Sequence, residues 1–182
     1  VLFIIIGSVP AAIMGIALKP FIYRLFSSKL AVGIFLIATG TVLWFGEYSS
    51  RINVLPTNLT AMKSLYIGIA QGCAIAPGFS RSGATISTGL FLGLSKEQAA
   101  RFSFLLSVPV ILGAGILELK DINALYCTKG FGVAAFLAFI ASAISGYLAI
   151  HLVLAVVKRG KLTIFALYTW ILGLAVVIWS II

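Results

Sequence analysis

A charged interruption within an apolar chain constrains this fold more than any other feature. Residues 77–85 read PGFSRSGAT and place Arg81 among serines, a threonine and glycines. Of the 182 residues, 62% are hydrophobic and only 9% are charged. A soluble core cannot absorb that much apolar surface, so the sequence predicts a helical protein that crosses a membrane several times. An arginine is costly to bury in such a chain, so we expect it to mark a functional site.

Two apolar segments flank the interruption, residues 64–76 before it and 82–94 after it. Each has 13 residues, which as helix reach about 20 Å, whereas a hydrocarbon core about 30 Å thick needs close to 20 residues. Pro77 removes a backbone donor and Gly78 permits a sharp turn. Irregular backbone at membrane depth survives only inside protein or along a polar cavity. We therefore predict a re-entrant pair of half-helices over residues 64–94 that carries the site.

The residues at the break are suited to an anion. If the second half-helix begins near Ser82, its free N–H groups and positive dipole end face the guanidinium of Arg81. Arginine binds phosphate through two parallel hydrogen bonds, and glycines let the backbone come close to a ligand. The candidate residues are Gly78, Ser80, Arg81, Ser82, Gly83 and Thr85. The alternative is that Ser80 or Ser82 only caps the helix and that Arg81 extends to a lipid headgroup.

Five other apolar stretches are predicted to cross the membrane. They are residues 1–18, 30–45, 99–117, 131–157 and 163–182. A capping box at residues 95–98 precedes the third of them. The predicted fold is therefore an all-α polytopic membrane protein with about five transmembrane helices and one re-entrant pair. We expect residues 1–182 to form a single integral membrane domain.

The charges of the whole chain are predominantly basic, with 13 Lys and Arg against 4 acids and a formal net charge of +9. Residues 19–29 combine three basic side chains with three aromatic ones. That pattern is typical of an interfacial segment in contact with anionic lipid, and no nucleic-acid motif appears. We expect membrane lipid as a partner and no nucleic acid.

The other reactive or titratable groups are predicted to be structural. Cys73 and Cys127 lack metal-binding spacing and are not expected to form a disulfide. Glu97 is placed in a first helical turn, where the dipole favours an acid. His151 is the single histidine and lies near the end of a predicted span, where an interfacial or hydrogen-bonded role is more common than a proton relay.

Two topologies are compatible with the sequence. If residues 64–94 cross the membrane once, the basic segments 19–29, 95–101 and 158–161 share one side, as the positive-inside rule favours. If they form a hairpin, segments 19–29 and 158–161 lie on opposite sides. We favour the hairpin because length and backbone constraints are stiffer than a charge bias, and we assign no orientation.

Residues of the break and of the segment after it carry a resemblance to a known family. The motif is Gln71-Gly72 with Pro77-Gly78-Phe79-Ser80-Arg81-Ser82-Gly83-Ala84-Thr85, followed by residues 93–105, which read GLSKEQAARFSFL. This pattern resembles the undecaprenyl-diphosphate phosphatases, the bacitracin-resistance proteins of bacterial membranes. The resemblance covers essentially all 182 residues, as roughly the last two thirds of a family member.

The resemblance implies an enzyme of the bacterial inner membrane with an inverted-repeat fold of broken helices. It would hydrolyse undecaprenyl diphosphate to undecaprenyl phosphate and inorganic phosphate, which recycles the carrier for cell-wall synthesis and confers bacitracin resistance. Arg81 would hold the diphosphate, and Ser80, Ser82 and Thr85 would be catalytic or phosphate-binding hydroxyls. Gln71 would join Gly78 and Gly83 in binding the diphosphate.

One part of the family pattern is absent, a first motif with acidic residues, a serine and a histidine. All four acids are predicted to lie in loops or at helix ends. A divalent cation, Mg²⁺ or Ca²⁺, would therefore be held mainly by residues outside this chain, and we expect these 182 residues to be inactive alone. The alternative function is a transporter or flippase for an anionic lipid, which would also place a half-helix N-terminus at its substrate. A homo-oligomer is compatible with either function.

Overall fold

The chain folds entirely into helices in a computed structural model that describes residues 1–52, 56–118, 131–158 and 162–181. The helices are α1 (Leu2–Ala17), α2 (Lys19–Phe26), α3 (Lys29–Ile52), α4 (Ala61–Cys73), α5 (Arg81–Phe91), α6 (Lys96–Glu118), α7 (Phe131–Lys158) and α8 (Leu162–Ile181). Within these ranges no strand occurs, and the predicted all-α class is confirmed.

The candidate membrane spans agree with the predicted polytopic class. In the described part of the chain, α3, α6, α7 and α8 are each long and apolar enough to cross a membrane. The pair α1 and α2 qualifies as a fifth, with a bend of 73° between the two helices. The short helices α4 and α5, of 13 and 11 residues, correspond to the predicted half-helices.

The basic segment predicted as a loop is instead helix α2, which has no buried residue. Pro20 stands in the first turn of α2, where its missing N–H would have no helical partner anyway. Aromatic side chains of α2 remain exposed, with Phe21 at 58% and Phe26 at 61%. An exposed, bent helix with this composition keeps the interfacial character that the sequence predicts.

The third helix extends beyond the predicted end of its span, and Glu47 within it is not a loop residue. The carboxylate of Glu47 is 2% exposed and accepts hydrogen bonds from Arg51 Nη2 at 2.6 Å and from the backbone N–H of Thr163 at 2.6 Å. The Thr163 hydroxyl also donates to it, at 2.8 Å. An arginine one turn later and the N-terminus of α8 thus balance the buried charge, which is why α3 continues past it.

The contacts of α8 and α4 with their neighbours fix the direction of both helices. A Cβ on Gly33 of α3 would meet Val177, one on Gly40 would meet Trp170, and Glu47 binds Thr163, so α8 runs antiparallel to α3. In α4, Ser64 donates to the Phe3 carbonyl, Gly68 contacts Gly7 and Gly72 contacts Met14, so α4 runs parallel to α1. These five glycines let the helices approach closely, as small residues do between membrane helices.

The half-helices α4 and α5 form a hairpin. Ser80 bonds to Thr39 of α3, and farther along the two helices Ser87 packs on Gly46, so α5 runs parallel to α3. The outer ends of the hairpin meet where the N–H of Thr57 donates to the Gly93 carbonyl at 2.8 Å. Both ends therefore lie at one end of the bundle, and the turn between them points toward α2.

The hairpin determines which basic segments lie at the same end of the helix bundle. It places α2 at one end of the bundle and the start of α8 at the other, as the favoured topology predicts. Residues 119–130 of the loop predicted between residues 118 and 130, which include Cys127, lie outside the described residues, as do residues 159–161 of the basic turn. Cys73 is exposed and unpaired. His151 is exposed, and its Nδ1 lies 3.2 Å from the Tyr147 carbonyl one turn earlier.

Candidate functional site

The first turn of α5 is an open helix N-terminus. Ser80 is its N-cap, and the Ser80 hydroxyl accepts a hydrogen bond from the Gly83 N–H at 3.1 Å. The Ala84 N–H donates to the Ser80 carbonyl at 2.9 Å. The N–H groups of Arg81 and Ser82 have no acceptor among the described residues. Two backbone donors and the positive dipole end are therefore available to an anion.

The side chains of Arg81 and Ser82 border the same space. Arg81 is partly exposed and Ser82 is exposed. Within the described part of the chain, neither side chain forms a hydrogen bond or an ion pair. The guanidinium thus keeps its planar set of donors free, which is the condition for binding a phosphate through two parallel bonds. The Ser80 hydroxyl caps α5, which is the role that the alternative prediction gave it. Its own hydrogen is still available as a donor.

The turn before α5 packs against α3. Gly78 has φ +85°, and a Cβ at this position would lie 2.5 Å from the Val32 carbonyl oxygen. Only glycine fits both the left-handed conformation and the close approach. The ring of Phe79 packs beside Phe35, with 6.2 Å between their centroids.

The hydroxyl of Thr39 completes this attachment. It lies 3.0 Å from the Ser80 N–H, which donates to it, and it donates toward the carbonyls of Phe35 at 2.9 Å and Gly78 at 3.1 Å. Thr39 is 1% exposed. It stands ten residues into α3, about 15 Å along the helix from Lys29, so the start of α5 lies well inside the bundle.

Thr85 lies in the interface between α5 and α6. It is 1% exposed, and its hydroxyl donates to the Arg81 carbonyl at 2.9 Å and lies 2.5 Å from the hydroxyl of Ser103. Ser103, which sequence reasoning missed, is also buried. Because Thr85 follows Arg81 by one turn, the Thr85–Ser103 pair lies one helical turn from the open N-terminus of α5.

Gln71 lies on α4 and is also buried, at 1% exposure. Its Nε2 donates to the Leu106 carbonyl of α6 at 3.5 Å, and its buried Oε1 has no partner among the residues that the structure describes. An unpaired buried acceptor is costly, so this oxygen is a position where a donor from water or substrate would be favourable.

The predicted residues therefore fall into two groups. Gly78, Ser80, Arg81, Ser82 and Gly83 meet at the open start of α5. Thr85 and Gln71 are buried and bond to residues of α6. The roles given to all seven remain predictions. Thr39 was missed because it stands 41 residues before its partner Ser80, and no local pattern connects them.

The start of α5 does not itself provide ligands for the expected divalent cation, whose binding mainly by residues outside this chain stays a prediction. The start of α5 offers a guanidinium, hydroxyls and N–H donors, whereas Mg²⁺ and Ca²⁺ are bound by carboxylate and carbonyl oxygens. Among the described residues, no three Asp, Glu, His or Cys side chains come close enough together to bind a metal ion. We derive no step through such an ion.

Comparison with known proteins gives consistent matches along the chain. Residues 1–175 match the family described as bacitracin resistance protein BacA. A protein named undecaprenyl-diphosphatase from Methanothermobacter thermautotrophicus is 51% identical over 176 residues, which cover 95% of this chain and 96% of the relative.

Two further relatives carry the same name and are longer. The protein from Methanosphaera stadtmanae is 44% identical over 98% of this chain and 64% of its own length. The protein from Desulforapulum autotrophicum is 44% identical over 96% of this chain and 63% of its own length. The chain thus spans nearly all of the first relative and slightly less than two thirds of these two.

Proposed function

Because this chain belongs to the BacA family of bacitracin resistance proteins, we propose that it acts as an undecaprenyl-diphosphate phosphatase. The reaction is hydrolysis of undecaprenyl diphosphate to undecaprenyl phosphate and inorganic phosphate, which returns the lipid carrier to cell-wall synthesis. The relatives described above are named for this activity, and none of those names refers to transport. The transporter alternative therefore has no support.

The open N-terminus of α5 is the observation that carries this proposal. Arg81, the N–H groups of residues 81 and 82 and the Ser82 hydroxyl form one set of donors without protein acceptors in the described chain. A diphosphate headgroup supplies acceptor oxygens and negative charge for this set. The site also lies within a bundle of candidate membrane spans, so the headgroup can bind while the isoprenoid chain stays in lipid.

The same donors suit the transition state of phosphoryl transfer. Attack of a water or serine oxygen on the terminal phosphorus breaks its bond to the bridging oxygen, and the lipid monophosphate leaves. A serine attack adds a second step in which water releases the phosphate. Negative charge spreads over the equatorial oxygens in this transition state, so catalysis depends chiefly on positioning and charge stabilisation. Arg81 and the free N–H groups supply both.

We place the protein in the inner membrane of a bacterial cell, with α2 at the surface. Lys19 lies over the ring of Tyr23 at 5.8 Å from the centroid, and Lys29 lies over Trp179 of α8 at 4.3 Å. Arg24 on α2 is exposed. Basic side chains beside aromatic anchors favour contact with anionic lipid headgroups, at about 1 kcal/mol per charge near the membrane surface.

Substitution of Arg81 tests the proposed function. The measurement is phosphate release from undecaprenyl diphosphate by the full-length protein in detergent. We expect Arg81→Ala to lower kcat by about 10²- to 10³-fold, as removal of one donor to transition-state charge does in other enzymes. The thermal midpoint should not change, because the Arg81 side chain has no partner among the described residues.

Arg101→Ala is the matched control. Arg101 is also an arginine near the start of a helix, α6, but it is exposed and pairs with Glu97 at 2.6 Å. Its removal should leave kcat within about twofold, since an exposed ion pair contributes little. Near-normal phosphate release by Arg81→Ala would remove Arg81 from the mechanism, and wild-type protein without phosphatase activity would overturn the proposed function itself.

A further inference from the structure

We propose that Thr39 is a positioning residue that holds Ser80 and Arg81 in the geometry needed for phosphoryl transfer. This inference rests on the proposed function. Thr39 does not belong to the sequence motif and lies on a different helix, α3. Its hydroxyl bonds to both sides of the turn, accepting from the Ser80 N–H at 3.0 Å and lying 3.1 Å from the Gly78 carbonyl.

One face of α3 contacts the turn that precedes α5. Val32, Phe35 and Thr39 are spaced by three and four residues, which places them along one side of the helix. Val32 meets Gly78 through its carbonyl, Phe35 meets the ring of Phe79, and Thr39 meets the Ser80 backbone. The last three residues of the turn thus each contact one residue on this face of α3, and Thr39 supplies the side-chain hydrogen bonds.

The position of Ser80 determines the direction of the donor set. Ser80 is the N-cap of α5, so its backbone fixes where the next two N–H groups and the Arg81 side chain begin. The Ser80 N–H lies one residue before these free donors and is satisfied by Thr39. Without the hydroxyl, this N–H and the Gly78 carbonyl lose a partner, and the turn would shift to find others. Catalytic groups misplaced by about 1 Å can lose on the order of 10²-fold in rate.

The test compares three variants of the full-length protein by steady-state phosphate release. Thr39→Val keeps the shape of the side chain and removes its hydroxyl. We expect kcat to fall by about 10- to 100-fold with KM within about threefold, because the donors still attract the headgroup but no longer match the transition state. Thr39→Ser restores the hydroxyl and should return kcat to within about threefold of wild type.

Thr41→Val is the matched control, because Thr41 is on the same helix and its hydroxyl faces α8. That hydroxyl donates to Ile37 at 3.0 Å and accepts from Trp170 Nε1 at 3.2 Å. Its loss should lower the thermal midpoint and leave kcat unchanged. If the Thr39→Val protein does not fold, Thr39→Ala is measured in its place.

The outcomes separate positioning from stability. An unchanged kcat in folded Thr39→Val, or a serine variant as slow as the valine variant, would overturn the inference. Loss of folding in both hydroxyl-free variants while the serine variant remains folded would assign Thr39 to stability and also overturn it. The inference fails alone if wild-type protein and the Arg81 series behave as proposed, whereas inactivity of wild-type protein refutes the proposed function.

Discussion

Glycines in two regions of this molecule have opposite surroundings. In the packed region, formed by α1, α3, α4, α5, α8 and the first half of α6, a Cβ on Gly40 would lie 2.5 Å from the Trp170 ring, and one on Gly68 would overlap the Gly7 carbonyl. In the open region, residues 108–116 of α6 and 132–152 of α7, a Cβ on Gly113 or Gly146 would meet no atom within 4 Å.

The difference shows that small residues alone do not make a helix interface. Both regions are rich in glycine and alanine, and both have the hydropathy of a membrane span. Among the described residues, only in the packed region do atoms of a neighbouring side chain or backbone occupy the space that the missing side chains leave. Predictions about stability should therefore follow these contacts and not the sequence motif.

The largest expected difference in stability is between the loss of a buried acid and the loss of an exposed acid. Glu47 in the packed region bonds Arg51 and Thr163, and its side chain is 2% exposed. Glu47→Ala should lower the free energy of unfolding in detergent by about 2–4 kcal/mol, because the N–H and hydroxyl of half-buried Thr163 lose their charged acceptor, and hydrogen bonds to a charged group contribute about 1.5–3 kcal/mol each. Glu97→Ala, at a pair whose acid is 43% exposed, should change it by less than about 1 kcal/mol. Equal losses would show that burial does not distinguish the two pairs.

The next difference concerns the glycines themselves. Gly68→Ala places a Cβ against the Gly7 backbone, and the helices must separate to accept it. Overpacking of this kind costs about 1–3 kcal/mol, seen as a lower thermal midpoint in detergent. Gly146→Ala has free space and should be neutral or slightly stabilising, because alanine favours helix by up to about 1 kcal/mol. A midpoint for Gly68→Ala equal to that of wild type would contradict the close packing of α1 and α4.

The smallest difference concerns hydroxyls. Ser103 shares a short hydrogen bond with Thr85, and both are buried. Ser103→Ala should cost about 0.5–1.5 kcal/mol, since Thr85 retains its bond to the Arg81 carbonyl. Ser145→Ala removes an exposed hydroxyl from α7 and should have no measurable effect. Chemical denaturation of both variants in the same detergent measures the difference. Equal midpoints would show that the Thr85–Ser103 hydrogen bond does not stabilise the packed region.

Several local features followed directly from the sequence. The capping box at the start of α6 is confirmed, with the Gln98 N–H donating to the Ser95 hydroxyl and the Ser95 N–H to Gln98 Oε1, both at 3.2 Å. The two half-helices and their glycine turn also agree with the prediction. Each depends on residues a few positions apart, so short-range pattern is sufficient to find it.

Errors and omissions arose where a residue depends on a distant partner. The sequence predicts a span that ends at residue 45, with Glu47 beyond it in a loop or at a helix end, but Thr163 of α8, 116 residues later, binds this carboxylate inside α3. Thr39 and Ser103 were overlooked for the same reason, since threonine and serine are common in membrane helices and gain meaning only from what they contact.

By itself, the sequence determined a helical membrane protein, a broken pair of half-helices and an arginine at the break with free donors around it. These follow from hydropathy, from the backbone limits of proline and glycine and from the length of a helix needed to cross a bilayer. Only the tertiary structure decided that α4 and α5 turn back as a hairpin, that α3 packs against the turn and that Glu47 is buried. Those outcomes depend on which helix faces meet, and that is set by contacts between residues far apart in the chain.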